Sequence, residues 1–354
     1  MKNWEKNVRK VIPYVPGEQP RKERVIKLNT NENPYPPAPA VSEALRQMDA
    51  DKLKLYPDPA VGDLVSAIAE FYQVNSDQVF VGVGSDDVLA MIFLTFFNSD
   101  KPILFPDITY SFYDVWADMF RIPYRQIPLD ENFCIRAGDY QCENGGVIFP
   151  NPNAPTGELL SLDVIEEMIK SNPDVIVVVD EAYIDFGGKS ALPLVDKYDN
   201  LIVVQTFSKS RSLAGSRIGF AIANPALIKY LNDVKYSFNS YTMDTVTIAL
   251  GTASIKDRAY FETTKDKIIT TREWTKEKLR ELGFVFGDSK SNFIFARHPK
   301  VSGEELFQAL REKDIYVRHF SKPQRVQEYL RISIGTDEQM QAFVDFLQEY
   351  LKNK

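Results

Sequence analysis

The 354-residue chain is predicted to be an α/β protein, a three-layer, mostly parallel sheet with a smaller α+β domain after it. Two observations predict this. Between about residues 62 and 260, short apolar runs alternate with longer amphipathic stretches, the pattern of strands and helices in turn that builds a parallel sheet covered on both faces. Beyond residue 282 the texture changes to short alternating strands and two helices. With 44% hydrophobic residues, the length suffices for one large core and a second, smaller one.

The first fifty residues carry polar, proline-rich turns, IPYVPGEQPRK and LNTNENPYPPAP, and then a short helical stretch over 40–48. They read as an arm that packs on something else. A helix is expected over 63–72, a strand over 79–81, a helix over 86–97, a strand over 102–105 and a helix near 112–119. A strand over 147–149, a helix over 161–170 and strands over 175–179 and 201–204 follow. The strand assignments rest on apolar runs too short for helices, such as VIVVV and LIVV, which suit strands buried on both faces. A long polar helix over 258–282 stops with Arg280 in its last turn and Gly283 after it. Strands over 292–296, 315–319 and 329–334 and helices over 303–313 and 337–351 complete the chain. In LRISI, Leu330, Ile332 and Ile334 share one face, so Arg331 and Ser333 share the other, where Arg331 can point into an interdomain cleft. The expected division is an arm over 1–50 that also completes the small domain, a large domain over 51–260 and a small domain over 261–354.

With 42 basic and 49 acidic residues the net charge is 42 − 49 = −7, which argues against nucleic-acid or anionic-membrane partners and for small molecules. No run is long and apolar enough to span a bilayer, and MKNWEKNVRK lacks the apolar centre of a secretory signal, so a cytoplasmic location is expected. Cys134 and Cys142 are too few for a disulfide framework and have no histidine close by, so no metal site is expected. His298 and His319 are the only histidines, and acid–base work must fall elsewhere.

The run QTFSKSRSLAGSRIGF, 205–220, places Lys209 between an apolar strand and a small-residue turn. Partial loss of solvation there disfavours the ammonium and leaves an amine able to attack an aldehyde. For an isolated Ser-Lys pair a snorkelling surface lysine would be the better reading. Here Ser208 and Arg217 add an anion-binding hydroxyl and guanidinium, so the three together suit a phosphorylated aldehyde. In VGVGSDDVLAM a strand runs through Gly82, Gly84 and Ser85 into a helix starting near Asp86, whose amides can hold a phosphate. An ordinary glycine turn capped by Ser85 is the alternative. In VIVVVDEAYIDF five apolar residues deliver Asp180, which can pair with a protonated ring nitrogen, and Tyr183, whose phenol can donate to a ring oxygen. A helix-capping acid is the alternative there. Tyr110 in ITYSFY offers a face for a heteroaromatic ring, though a core aromatic is the commoner fate. FPNPNAPTG, 149–157, by itself predicts a rigid loop.

The ordered set YPDP, GxGSDD, NPNxPTG, DEAYxDF, TFSKxxxLAGxRxGF and LRISIG resembles the fold-type I aminotransferases that use pyridoxal 5'-phosphate, and most of all the histidinol-phosphate aminotransferases. The resemblance runs over nearly the whole chain. It implies that Lys209 binds the cofactor and then shuttles a proton, that Asp180 pairs with the pyridine nitrogen, that Tyr183 contacts the 3'-oxygen and that Tyr110 stacks on the ring. Ser85, Asp86, Ser208 and Arg217 would surround the phosphate, the first two largely through backbone amides. Tyr56 of YPDP would reach that phosphate from a second subunit, which requires a homodimer. The family usually writes Asn-Pro-Asn-Asn-Pro-Thr-Gly, the last Asn donating to the 3'-oxygen, but here that position is Ala154. Either Asn153 takes over that bond or Tyr183 serves alone.

Arg331 matches the arginine that pairs with glutamate's α-carboxylate, and Arg318 and Tyr14 match residues that hold the phosphate of histidinol phosphate. Arg318 as a surface residue of its alternating strand, and Tyr14 as a mere anchor of the arm, remain open. The implied reaction passes an amino group between L-histidinol phosphate and 2-oxoglutarate, giving imidazole-acetol phosphate and glutamate. Three alternatives stand beside it: an aromatic or broad-range aminotransferase, a decarboxylase or lyase on the same fold, and a ligand-sensing module on an inactive fold. The last would carry a DNA-binding domain, for which the chain has neither room nor charge.

Overall fold

The computed structural model describes residues 2–15, 17–22, 24–352 and 354. Strand β1 (Ile26–Leu28) and helix α1 (Pro39–Arg46) come first, then α2 (Gly62–Tyr72), β2 (Val79–Gly82), α3 (Gly84–Phe96), β3 (Ile103–Pro106), α4 (Tyr113–Phe120) and β4 (Tyr124–Ile127). They are followed by β5 (Val147–Pro150), α5 (Leu162–Lys170), β6 (Val177–Asp180), β7 (Leu201–Thr206) and β8 (Gly219–Ala223). Helices α6 (Pro225–Phe238), α7 (Thr245–Lys256) and α8 (Arg258–Glu281) lead to β9 (Val285–Phe286), β10 (Phe293–Arg297), α9 (Gly303–Glu312), β11 (Ile315–His319), β12 (Leu330–Ser333) and α10 (Asp337–Lys352).

The large sheet has seven strands in the order β2-β8-β7-β6-β5-β3-β4, and β8 alone runs against its neighbours. Strand alternation sends successive residues to opposite faces. Val177, Val179, Leu201 and Val203 accordingly join one core with α2 and α5, while Val178, Ile202 and Val204 join another with α3, α4 and α6. Two cores around one sheet make the three layers. In the second sheet, β1-β11-β12-β10-β9, the N-terminal β1 lies at one edge, parallel to β11. Its core also takes in Tyr183 and Phe186 from the loop after β6, so the two sheets meet at that loop. No helix among the described residues is long and apolar enough to cross a membrane.

Strands β2, β3, β5, β6 and β7 point the same way, so the segments bearing Ser85, Tyr110, Ala154, Asp180 and Lys209 all leave one edge of the sheet. Ligands of open α/β sheets bind along that edge.

Candidate active site

At that edge a cavity of about 90 Å³ is lined by Ser85, Asp86, Tyr110, Ala154, Asp180, Tyr183, Ser208, Lys209 and Arg217, with Pro150, Ala182 and Thr206. Eight residues singled out in four separate sequence segments thus converge on one space. At one end, the start of α3 presents amides without intrahelical partners. Gly84 there has φ +83°, and a Cβ would stand 2.5 Å from Arg217 Nη2, so only glycine lets the guanidinium approach the helix start. Across from it a Cβ on Gly219 would meet Ser85 N at 2.2 Å, so β8 packs backbone to backbone against the same turn. Arg217 is itself left-handed at φ 52°, a costly conformation kept where the surroundings impose it. Its Nη2 donates to Asp86 Oδ2 at 2.8 Å and its Nη1 to Ser208 Oγ at 3.5 Å, and Tyr110 OH donates to Asp86 Oδ1 at 2.5 Å. Helix amides, a guanidinium and a hydroxyl around a glycine cradle form a donor set that fits a phosphate monoester.

At the deep end, Asp180 is buried at the tip of β6. Burial pushes its carboxyl up to about 6, against the donated bonds of Tyr113 OH (3.0 Å) and Ala182 N–H (3.2 Å). A buried carboxylate of this kind is stabilised by a cation. Lys209 Nζ lies over the Tyr183 ring, 5.6 Å from its centroid. A phosphate cradle at one end, a carboxylate seeking a cation at the other and an amine on the same cavity wall fit pyridoxal 5'-phosphate.

Two expected contributors lie elsewhere. Asn153 does not line the cavity. Its buried amide donates to Ile108 O and Thr156 Oγ1, both at 3.0 Å, and its carbonyl accepts from Thr109, so it is spent on the loop itself. Ala154 takes the wall position. Tyr56, expected to act on a second subunit's site, lies outside this chain's cavity; 82% exposed, it stacks on Tyr241 with centroids 4.7 Å apart.

A larger cavity of about 850 Å³ shares Tyr110 with the first and is lined by Tyr14 and Arg318 among others. Tyr14 stacks on Phe112 at 4.3 Å, which fixes the arm over this space. Arg318 faces Arg331 directly across the β11–β12 ladder. Like charges in that register repel, and the Arg318 charge joins burial in pulling Arg331 down from its ordinary range. Among the described residues neither arginine has a carboxylate partner. Arg331 Nη2 donates to Asn29 O at 3.0 Å, while its buried Nε lacks a protein partner. Two adjacent, unneutralised guanidinium groups, one of them on the wall of the larger cavity, are suited to anions.

Sequence reasoning missed Tyr113, Thr206 and Asn31. Tyr113 stands three residues after Tyr110 in the same motif, which was the available signal. Asn31 sits in the turn-rich arm and donates to Tyr183 OH at 3.0 Å.

Comparison with known proteins agrees with this geometry. Residues 23–347 match the family described as aminotransferase class I and II. The chain is 52% identical over 352 residues to a histidinol-phosphate aminotransferase of Lactococcus lactis subsp. cremoris (strain MG1363), covering 99% of both chains. It is 54% identical over 348 residues to one from Pseudomonas syringae pv. syringae (strain B728a), covering 98% of this chain and 99% of that one. The crystal structure of histidinol-phosphate aminotransferase from Sinorhizobium meliloti in complex with pyridoxal-5'-phosphate superposes with a TM-score of 0.85 at 22% identity, covering 93% of this chain and 92% of that one. Family match, full-length identity and shared fold converge, and the chain belongs to the class I and II aminotransferases.

Proposed function

We propose that this protein moves an amino group from L-histidinol phosphate to 2-oxoglutarate, as a pyridoxal 5'-phosphate enzyme of histidine biosynthesis acting in the cytoplasm. When bound, the cofactor supplies an aldehyde carbon for amines and a ring that accepts the electron pair left at the substrate carbon. Lys209 Nζ would hold the cofactor's aldehyde carbon and, once free, would move a proton at the donor's Cα. Asp180 would pair with the ring nitrogen and favour a proton there. Tyr110 offers a flat face, and the α3 amides with Ser208 and Arg217 fix the phosphate. Tyr183 would donate to the ring oxygen. The same groups serve the second half-reaction in reverse, with 2-oxoglutarate as acceptor.

The observation that carries the reading is the pair of cavities that share Tyr110, one lined by the amine and carboxylate and the other by unneutralised Arg318, with Arg331 facing Arg318 across the β11–β12 ladder. Arg331 takes the α-carboxylate of glutamate or 2-oxoglutarate; Arg318 and Tyr14 take the donor's phosphate. The relatives' names support the donor's identity. We further assign the active form as a homodimer in which exposed Tyr56 completes the partner's phosphate site. The test mixes cofactor-loaded protein with single amines and follows the loss of cofactor absorbance. L-histidinol phosphate should react with a kcat/KM at least roughly 10²-fold above phenylalanine. Preference for phenylalanine would reassign the protein as an aromatic aminotransferase, and carbon dioxide release from an amino acid would make it a decarboxylase.

A further inference from the structure

We infer that Asn31, held by Ser333, is a positioning residue that aims the Tyr183 phenol into the cavity and ties it to the sheet bearing Arg331. Asn31 is buried and left-handed, with φ 54°. Each of its polar atoms is engaged. Its Nδ2 donates to Tyr183 OH at 3.0 Å and its Oδ1 accepts from Ser333 Oγ at 2.9 Å. Its backbone N–H donates to Ser333 Oγ at 2.9 Å, and its carbonyl accepts from Asn292 Nδ2 at 3.0 Å.

The direction of the first bond matters. The amide gives its hydrogen to the phenol oxygen, and no described residue accepts the phenol's own hydrogen, so that hydrogen is left for an acceptor in the cavity. A hydroxyl that already accepts a bond is a stronger donor. Asn31 thereby both orients the phenol and strengthens it.

The other end of the link is β12. Arg331 and Ser333 project from the same face of that strand. Arg331 grips Asn29 O and Ser333 grips Asn31, two residues apart in the same N-terminal segment. Two residues further on, Asn33 Nδ2 donates to the carbonyls of Lys209 and Ser210 at 3.0 and 3.2 Å. Segment 29–33 therefore bridges the arginine strand, the phenol and the lysine turn.

This inference rests on the assignment of Tyr183 to the ring's 3'-oxygen, and the experiment separates the two. The parent, Asn31→Gly, Ser333→Ala and Tyr183→Phe are loaded with pyridoxal phosphate. The pH midpoint of the lysine-bound cofactor's absorbance change is measured for each, with the melting temperature of each cofactor-free protein. Glycine keeps the left-handed backbone without strain, so Asn31→Gly removes the side chain alone. Donation to the ring oxygen lowers the basicity there, so weakening it raises the midpoint. The Asn31→Gly and Ser333→Ala midpoints should rise in the same direction as that of Tyr183→Phe and less far, on the order of 0.3–1 unit. If both melt lower but titrate like the parent while Tyr183→Phe shifts, Asn31 is structural only and the inference is overturned. If Tyr183→Phe itself titrates like the parent, the Tyr183 assignment falls and the inference with it. Should Asn31→Gly not fold, Ser333→Ala, which keeps residue 31 intact, decides the matter alone.

Discussion

Asp180 has the plainest consequences. Without a cation beside it, its carboxyl is raised to about 6 by burial, above the value near 3.9 of an unfolded chain. The sign follows from proton binding: the folded state holds the extra proton, so the stabilisation is complete below pH 4 and is lost as pH rises through 6. In the cofactor-free protein, Asp180→Asn should therefore gain stability relative to the parent by roughly 2–3 kcal/mol between pH 4 and pH 8, read by urea unfolding at each pH. A flat difference would mean that the carboxyl is not buried as described. In the loaded enzyme, with Asp180 as the proposed partner of the ring nitrogen, the same substitution should slow turnover by roughly 10²–10⁴. Near-normal turnover would exclude that role. Asp180 was legible because a carboxylate ending five apolar residues has few bland uses. Tyr113, which donates to it, and Asn31 were not, because a tyrosine among aromatics and an asparagine in a turn each have many local explanations.

The β11–β12 ladder sets two arginines opposite each other, and this register is the feature that bears most on substrate choice. Arg318→Ala should cost roughly 1.5–3 kcal/mol, about one to two decades of apparent affinity, for L-histidinol phosphate. Phenylalanine should lose far less, and equal losses for both donors in steady-state kinetics would remove the phosphate from Arg318. The alternation in LRISI showed which face Arg331 takes, but the pairing of two strands separated by a loop is not written in either one. Elements with a single clear signal were read close to their observed bounds, as with β11 and α8. Strand β8 follows directly on the lysine turn, so its apolar GFAIA run was absorbed into that motif. Edge strand β4, YRQI, is mostly exposed and has little apolar signal. Helix α6 does carry one, Asn224 capping Ala226 N with Pro225 next to it, and could have been read. Asn153 misled for a different reason: motif position cannot tell whether an amide faces the cavity or its own loop.

For the whole molecule, the parallel sheet and its ligand edge were legible from the alternation of elements, and so was the arm's place in the small domain, whereas the bridging role of segment 29–33 was not. Segment 29–33 gains its meaning only from β12 and the loop after β6, which lie far away in sequence. Tyr56 raises the same issue between chains. If it acts on a partner's site, mixing inactive Lys209→Ala with weakened Tyr56→Ala protein should restore activity, since a mixed dimer contains one intact site. Absence of recovery after subunit exchange would return Tyr56 to its own chain. The proposed chemistry depends on one lysine in one cavity. Borohydride reduction of the cofactor-loaded protein, followed by peptide mapping, should place the reduced cofactor on Lys209 alone, with no fixation in a folded Lys209→Ala protein. Stoichiometric fixation at any other lysine would contradict it.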